Sequence, residues 1–292
     1  MIRLIRWLVS VYQSLPIKPF RGIARKLYEK YKLLMKNKVV IATREGIKYK
    51  LNLSEQIDSS IYYTGCLEPM TTAVINKYVK KGMTVLDIGA NVGCHTLRLA
   101  KLVGQNGTVI AFEPMPWALR RLKDNLELNN FNNIVVEKVA LSNVNQRKQA
   151  YFRASWALDG GSSRDSIKKE EINFITLDEY IRISKIESID FIKIDLGGYE
   201  YKVIQGAVNT IREFKPVIII QFCEYSLKAC GDSSNNLLNL LASVGYSFYL
   251  EDNFKQSTKE CVLNAATSSP STVISVLCKP NVKEVKLLNL ES

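Results

Sequence analysis

The stretch from Thr84 to Thr96, T-V-L-D-I-G-A-N-V-G-C-H-T, concentrates residue types that make a ligand site. Thr84 to Ile88 reads as a buried strand carrying the carboxylate of Asp87, Gly89 to Gly93 as a tight turn, and Cys94 onward as the start of a helix. Glycines let the backbone approach a bound molecule and take positive φ. The free N–H groups of a helix start add hydrogen-bond donors and partial positive charge. Two more acids end apolar runs in the same way: Glu113 after T-V-I-A-F, and Asp195 after I-D-F-I-K-I. A carboxylate at the end of the second strand is placed to accept bonds from both hydroxyls of a ribose, as in dinucleotide sites. The turn G-A-N-V-G nevertheless lacks the G-x-G-x-x-G spacing that brings a pyrophosphate onto the helix end. A nucleoside carrying an amino acid fits better than one carrying a diphosphate.

The elements that must position these residues follow from the pattern of apolar positions. Val39 to Leu53 alternates with period two and reads as a hairpin turning near Gly46, and a helix over Met70–Lys81 delivers the chain to the central strand. Strands at Thr84–Ile88, Thr108–Phe112 and Ile134–Lys138 alternate with helices over Cys94–Val103 and Pro116–Asn129. Residues 148–153 form a further candidate strand, and Ala154–Lys169 reads as a long loop. A strand ending at Asp195, a helix running to Asn209, the apolar strand Pro216–Phe222, a helix over Asn235–Ser243 and strands at Tyr246–Leu250 and Val273–Cys278 follow. Such alternation predicts an α/β fold with a doubly wound, mostly parallel sheet. Ligands of such sheets bind beyond the carboxyl ends of the strands. The domain organisation expected is a basic amphipathic segment at 1–37, a hairpin and helix extension at 38–81, a Rossmann-like domain at 82–280 and a tail at 281–292.

Taken in order, V-L-D-I-G-A-N-V-G-C-H-T, A-F-E-P, V-A-L-S-N, I-T-L-D-E-Y and I-D-F-I-K-I-D-L-G-G-Y-E, with I-Y-Y-T-G-C-L-E-P upstream, resemble the FkbM family of S-adenosylmethionine-dependent methyltransferases. The resemblance runs from about Leu53 to Phe222. It implies a class I methyltransferase-like sheet of seven strands with the last antiparallel, S-adenosyl-L-methionine as cofactor, and a hydroxyl of a sugar, glycolipid or natural product as acceptor. By position it assigns Asp87, Gly89, Ala90, Asn91 and Gly93 to the methionine part of the cofactor and Glu113 with Pro114 to the ribose. Ala140 falls near the adenine and Asp195 beside the sulfonium. An acid at a strand end stabilises a sulfonium. Methyl transfer from an activated donor needs mainly alignment, while the acceptor hydroxyl must lose a proton. Here the chain departs from the family, which usually has acids where this sequence has Gly197 and Gln221. Glu224 and Glu200 are the nearest carboxylates that could substitute. Two readings stay open: an O-methyltransferase, and a catalytically impaired protein of the same fold docked at a membrane.

Among single residues, His95 is the only histidine, and its helix-start position suits a neutral general base or a residue packed against the cofactor. Glu68 is either a charge at the start of the next helix or a substrate contact. Trp117 reads as core. Trp156 and Ser163, in the Gly/Ser loop, are the acceptor-contact candidates.

The 292 residues carry a net charge of +12, but residues 1–38 hold ten Lys or Arg against one Glu, +9 in all, leaving +3 for the other 254. That distribution argues against an extended nucleic-acid-binding face. It points instead to residues 1–37 as a basic amphipathic segment suited to an anionic membrane surface. The expected location is therefore cytoplasmic, peripheral at the inner membrane face, with the alternative that the segment packs on the domain. The six cysteines show no C-x-x-C pair and no short Cys/His cluster, which argues against a zinc site or a redox motif, and no metal is expected.

Overall fold

The computed structural model describes residues 38–153, 167–250, 255–269 and 272–281. The expectations for residues 1–37, Trp156 and Ser163 therefore lie outside the described residues. Among the described residues no helix is long and apolar enough to cross a membrane. The chain divides into two compact units, one made of the described residues up to Ala140 with Asn145–Ile175, the other of Leu141–Val144 with Thr176 onward.

The first unit opens with an antiparallel hairpin, β1 (Val39–Arg44) and β2 (Ile47–Asn52), with Arg44 opposite Ile47. Its two-residue turn, Glu45-Gly46, has positive φ at both positions, as a type I′ turn requires. Ile47, Tyr49 and Leu51 alternate with exposed Lys48 and Lys50, and they bury against Ile61, Cys94 and Leu97. Helix α1 (Gln56–Thr64) stops at Gly65, and α2 (Pro69–Tyr78) begins with a proline at its first turn. The parallel strands β3 (Thr84–Ile88), β4 (Thr108–Phe112) and β5 (Ile134–Glu137) lie in that order, interleaved with α3 (Cys94–Val103) and α4 (Pro116–Glu127). In register, Asp87 pairs with Ala111 and Ala111 with Val136. A two-residue strand, β6 (Ala140–Leu141), marks the boundary between the units. The unit closes with β7 (Gln146–Arg153) and β8 (Ile167–Ile175), antiparallel, with Gln146 opposite Phe174.

The second unit contains α5 (Leu177–Ser184), β9 (Phe191–Asp195), α6 (Glu200–Gln205), α7 (Val208–Phe214), β10 (Val217–Cys223), α8 (Glu224–Ala229) and α9 (Ser234–Ser243), then β11 (Tyr246–Leu250), β12 (Gln256–Ser257), α10 (Lys259–Thr267) and β13 (Val273–Pro280). Its strands lie in the order β12-β11-β13-β10-β9. Strands β9 and β10 are parallel, whereas β13 runs antiparallel to β10, so the antiparallel last strand is present. Side-chain caps fix three helix starts: Thr176, Ser233 and Thr258 accept from the backbone N–H groups of Glu179, Asn236 and Cys261.

The α/β class with mostly parallel strands is thus the one formed, with particular departures from the expected elements. The seven strands implied by the resemblance do not include the two-residue β12, which pairs with β11. The segment expected as a loop to Lys169 gives way to β8 at Ile167. The single helix expected to run to Asn209 breaks at Gly206-Ala207. The break coincides with close packing, since a Cβ on Gly206 would lie 2.1 Å from the Ser142 carbonyl oxygen.

The turn after Asp195 shows how tightly the second unit is packed. Gly198 has φ +125°, and a Cβ there would meet the Ser226 carbonyl oxygen at 2.5 Å and Cys230 Sγ at 2.9 Å. At Gly197, φ +64°, no described atom lies within 4 Å of a built Cβ. Gly198→Ala is expected to cost about 3 kcal/mol through strain and overpacking, and Gly197→Ala only about 1 kcal/mol for a left-handed residue. Urea denaturation of both variants checks this, and equal losses would contradict the packing difference.

Candidate cofactor-binding site

In the first unit, the turn between β3 and α3 is held by bonds to the end of β4. The N–H groups of Gly89 and Ala90 both donate to the Phe112 carbonyl, at 3.0 and 3.1 Å, and Gly93 N–H donates to the Ala90 carbonyl at 2.9 Å. Asn91 has φ +51° and Gly93 φ +87°. Gly93 is required twice over, because a Cβ there would lie 2.3 Å from Cδ1 of the buried Leu122. Asn125, buried on α4, donates from Nδ2 to the Val92 carbonyl at 2.8 Å.

Glu113 is buried one residue past β4 and grips both ends of this arrangement. Its Oε2 accepts from Asn91 N–H and its Oε1 from Met115 N–H, each at 2.8 Å. A carboxylate that accepts backbone N–H bonds is also the group type that accepts from the hydroxyls of a ribose. Pro114 lies between Glu113 and Met115, half-buried, and Ala140 opens β6, also half-buried. Asp87 is fully buried, with Oδ2 accepting from Thr96 Oγ1 at 2.6 Å, which ties the strand end to the first turn of α3.

His95 is only 3% exposed, and its Nε2 lies 3.3 Å from Oε2 of Glu68. Glu68 immediately precedes α2 in the left-handed region, φ +48°, so it is a strained residue touching the helix start. With Nε2–H donating to the carboxylate, Nδ1 becomes the acceptor nitrogen, and that atom is buried without a hydrogen-bond partner. Asn91 Oδ1 is a second buried acceptor without a partner, and Trp117 Nε1 an unpaired buried donor.

The second unit presents its own strand-end residues. Asp195, half-buried, pairs in register with Gln221, which pairs with Ser275 across β10 and β13. Glu200 is fully buried, and it closes the turn that follows Asp195. Its Oε1 accepts from Leu196 N–H and Gly198 N–H, both at 3.1 Å, and its Oε2 from Gly198 N–H at 2.9 Å. Burial pushes its carboxyl up to about 6, only partly offset by the backbone donors. Glu224 accepts from Ser234 N–H at 2.8 Å and pairs with Lys228 at 3.2 Å. Burial raises its pKa, but these bonds outweigh that and hold it below the ordinary value. Both glutamates that could have replaced the missing acids are thus engaged in holding backbone.

The structure brings Gly89, Ala90, Asn91, Gly93 and Glu113 together in the turn fastened to the end of β4, ties Asp87 to Thr96, and joins His95 to Glu68 at the start of α3. The Thr96 bond to Asp87 and the Glu200 turn closure were missed. A carboxylate two residues after a Gly-Gly pair is the signal that could have revealed the second.

Residues 87–248 match the model of the methyltransferase FkbM domain. The chain belongs to the FkbM methyltransferase family. S-adenosylmethionine is accordingly its cofactor. Relatives with similar segments include the ribosomal protein L11 methyltransferase of Acetivibrio thermocellus, 31% identical over 27% of this chain and 25% of that protein. Another is the hexuronic acid methyltransferase of Haloferax volcanii, 25% identical over 46% of this chain and 53% of that protein. The chain thus spans between a quarter and about half of the length of these curated relatives. Among solved structures, the FkbM methyltransferase of Methylobacillus flagellatus aligns with a TM-score of 0.43 and 16% identity, over 94% of this chain and 59% of that one.

The residues present fit the cofactor of the FkbM family. Its ammonium requires acceptors and its carboxylate requires donors, and the turn supplies the unpartnered Asn91 Oδ1 and the backbone N–H groups at the start of α3. The Glu113 carboxylate, held by Asn91 and Met115 N–H, is the type of acceptor that ribose hydroxyls would require.

The raised Glu200 pKa carries a pH signature. A carboxyl raised in the folded protein contributes stability that is full below its ordinary value, 4.5, and is lost as pH rises through about 6. From pH 4.5 to neutrality this group should remove about 2 kcal/mol of unfolding free energy. Urea denaturation across that range is expected to show a flatter slope for Glu200→Gln than for the wild type. Parallel slopes would refute it.

Proposed function

We propose that this protein is an S-adenosylmethionine-dependent methyltransferase that O-methylates a hydroxyl of a saccharide, glycolipid or related natural product. The observation that carries the reading is the Glu113 carboxylate bound to Asn91 N–H, beside the unpartnered Asn91 Oδ1, in a chain of the FkbM family. The sugar acceptor is supported by the resemblance to a hexuronic acid methyltransferase.

When bound, the cofactor supplies an activated methyl group on a sulfonium, so the protein's task is alignment and proton removal. Asp87, Gly89, Ala90, Asn91 and Gly93 hold the methionine end, Glu113 and Pro114 the ribose, and Ala140 borders the adenine. Asp195, at the end of β9, is the second unit's strand-end acid, and the family resemblance assigns it to the sulfonium. His95 takes the acceptor's hydroxyl proton at Nδ1, with Glu68 fixing the tautomer through Nε2. Glu224 is not used, because Ser234 and Lys228 already engage it.

Calorimetry with S-adenosylhomocysteine tests the cofactor claim, and absence of binding at millimolar ligand would sink it. Glu113→Ala removes a charge-assisted acceptor and should weaken binding by about tenfold or more. Labelled S-adenosylmethionine with surface-glycan extracts of the native host tests turnover, with an alkali-stable methyl ether as the expected product. Binding without turnover would favour the non-catalytic reading that Gly197 and Gln221 motivate.

A further inference from the structure

The outer face of the first unit's β1–β2 hairpin has no part in the roles above. The register sets Ile41 opposite Lys50, Thr43 opposite Lys48 and Val39 opposite Asn52. Directly opposed residues project on one side of a hairpin, and this side is the reverse of the one that buries Ile47, Tyr49 and Leu51. Val39 is 54% exposed and Ile41 65%, with Thr43, Lys48 and Lys50 exposed beside them. The hairpin is fastened through its other edge: the N–H groups of Lys48, Lys50 and Asn52 donate to Asn129 Oδ1 at 3.0 Å, Asn125 Oδ1 at 2.7 Å and Asp58 Oδ2 at 2.6 Å. Side chains on α1 and at the end of α4 thus hold β2, and the apolar pair on β1 stays outermost.

We infer that this face lies against an anionic lipid surface, with Val39 and Ile41 entering the headgroup layer and Lys48 and Lys50 meeting lipid phosphates. Charge complementarity carries the assignment. Residues 1–38, which lead directly into β1, hold +9, and residues 39–52 add Arg44, Lys48 and Lys50 against Glu45. The first 52 residues therefore hold +11 of the chain's +12, leaving +1 for the other 240. Glu45, the one acid of the hairpin, is already engaged by Arg98 at 2.7 Å. Lys50 reaches Asp124 at 2.8 Å, but both side chains are exposed, and such a pair is weak enough for a phosphate to compete with it. Apolar side chains beside cations are what an anionic interface takes up, gaining from burial and from charge together. Nucleic acid would use the lysines but gains nothing from two aliphatic side chains, since single strands call for aromatic platforms. A second copy on this face would set two strongly cationic regions against each other. The inference is independent of the acceptor's identity.

Flotation of the full chain with vesicles of phosphatidylcholine alone, and of phosphatidylcholine with about 30 mol% phosphatidylserine, tests this face. Wild type is expected to float with the anionic vesicles and not with the neutral ones, and to be released as salt rises. The double variant Val39→Ser with Ile41→Ser, and separately Lys48→Glu, should each weaken binding to the anionic vesicles by about tenfold, the first by removing apolar insertion and the second by reversing a charge. Both should unfold thermally like wild type, because the replaced side chains are exposed. Wild-type binding that neither variant weakens would overturn the hairpin contact and leave attachment to residues 1–37. Equal flotation with both kinds of vesicle would overturn the charge argument, and flotation with neither would overturn the lipid assignment. A duplex RNA that binds wild type in place of vesicles, and that loses affinity for Lys48→Glu but not for the double variant, would reassign the face to nucleic acid.

Discussion

The Glu113 carboxylate is the fixed point on which the first unit's ligand loop depends. Asn91 occupies the left-handed region, which costs a non-glycine residue about 1 kcal/mol or more, and its N–H donates to Oε2 of Glu113. The other oxygen binds Met115 N–H, so one buried side chain fixes both the turn after β3 and the exit from β4. A charged acceptor makes stronger bonds than a neutral one, and burial sharpens them. Asp87 and Thr96 do the same job on the other side of the turn, joining the strand end to the helix start. The protein's own bonds thus fix the turn, and a turn fixed in this way lowers the ordering cost of binding.

Those features were legible because each has a local signature. Gly93 takes the positive φ that a glycine-bounded turn announces, and the acids at the strand ends follow apolar runs that read as strands without any tertiary information. The elements that escaped lack such signatures. Helix α1 buries Asp58 and Ser59 beside Ile61 and Tyr63, so its inner face does not look apolar. Asp58 is stabilised there by Arg121 and Asn52 N–H, partners 63 and 6 residues away. Helix α10 buries only Val262 and Ala266, too few to define a stripe. Strand β8 opens I-K-K-E-E, whose charges resemble a continuing loop, and its partner β7 is equally polar.

Glutamates show where residue type misleads about role. Glu200 sits two residues from a Gly-Gly pair at the end of β9 and looks available for chemistry. It is instead enclosed, accepting from Leu196 and Gly198, and burial raises its pKa. A buried acid that satisfies backbone donors organises a turn whose glycines make no side-chain contacts of their own. Glu224 likewise anchors Ser234 at the start of α9. Spacing along the chain cannot distinguish these roles, because the distinguishing partners are backbone N–H groups whose direction only the folded turn defines.

The same logic bears on how a proton could be removed in a chain with Gly197 and Gln221 where the family usually has acids. Methyl transfer from a sulfonium is driven by the leaving group, so a weak base with fixed geometry suffices where a hydrolase would need a strong nucleophile. A histidine whose Nε2 is engaged by Glu68 has one defined acceptor atom, and His95 Nδ1 is buried without a partner. Leaving such an atom unsatisfied costs on the order of 1–3 kcal/mol, comparable to the strain of Glu68 at φ +48°. Two adjacent costs of this kind at the start of α3 are easier to reconcile with a function for His95 than with packing alone.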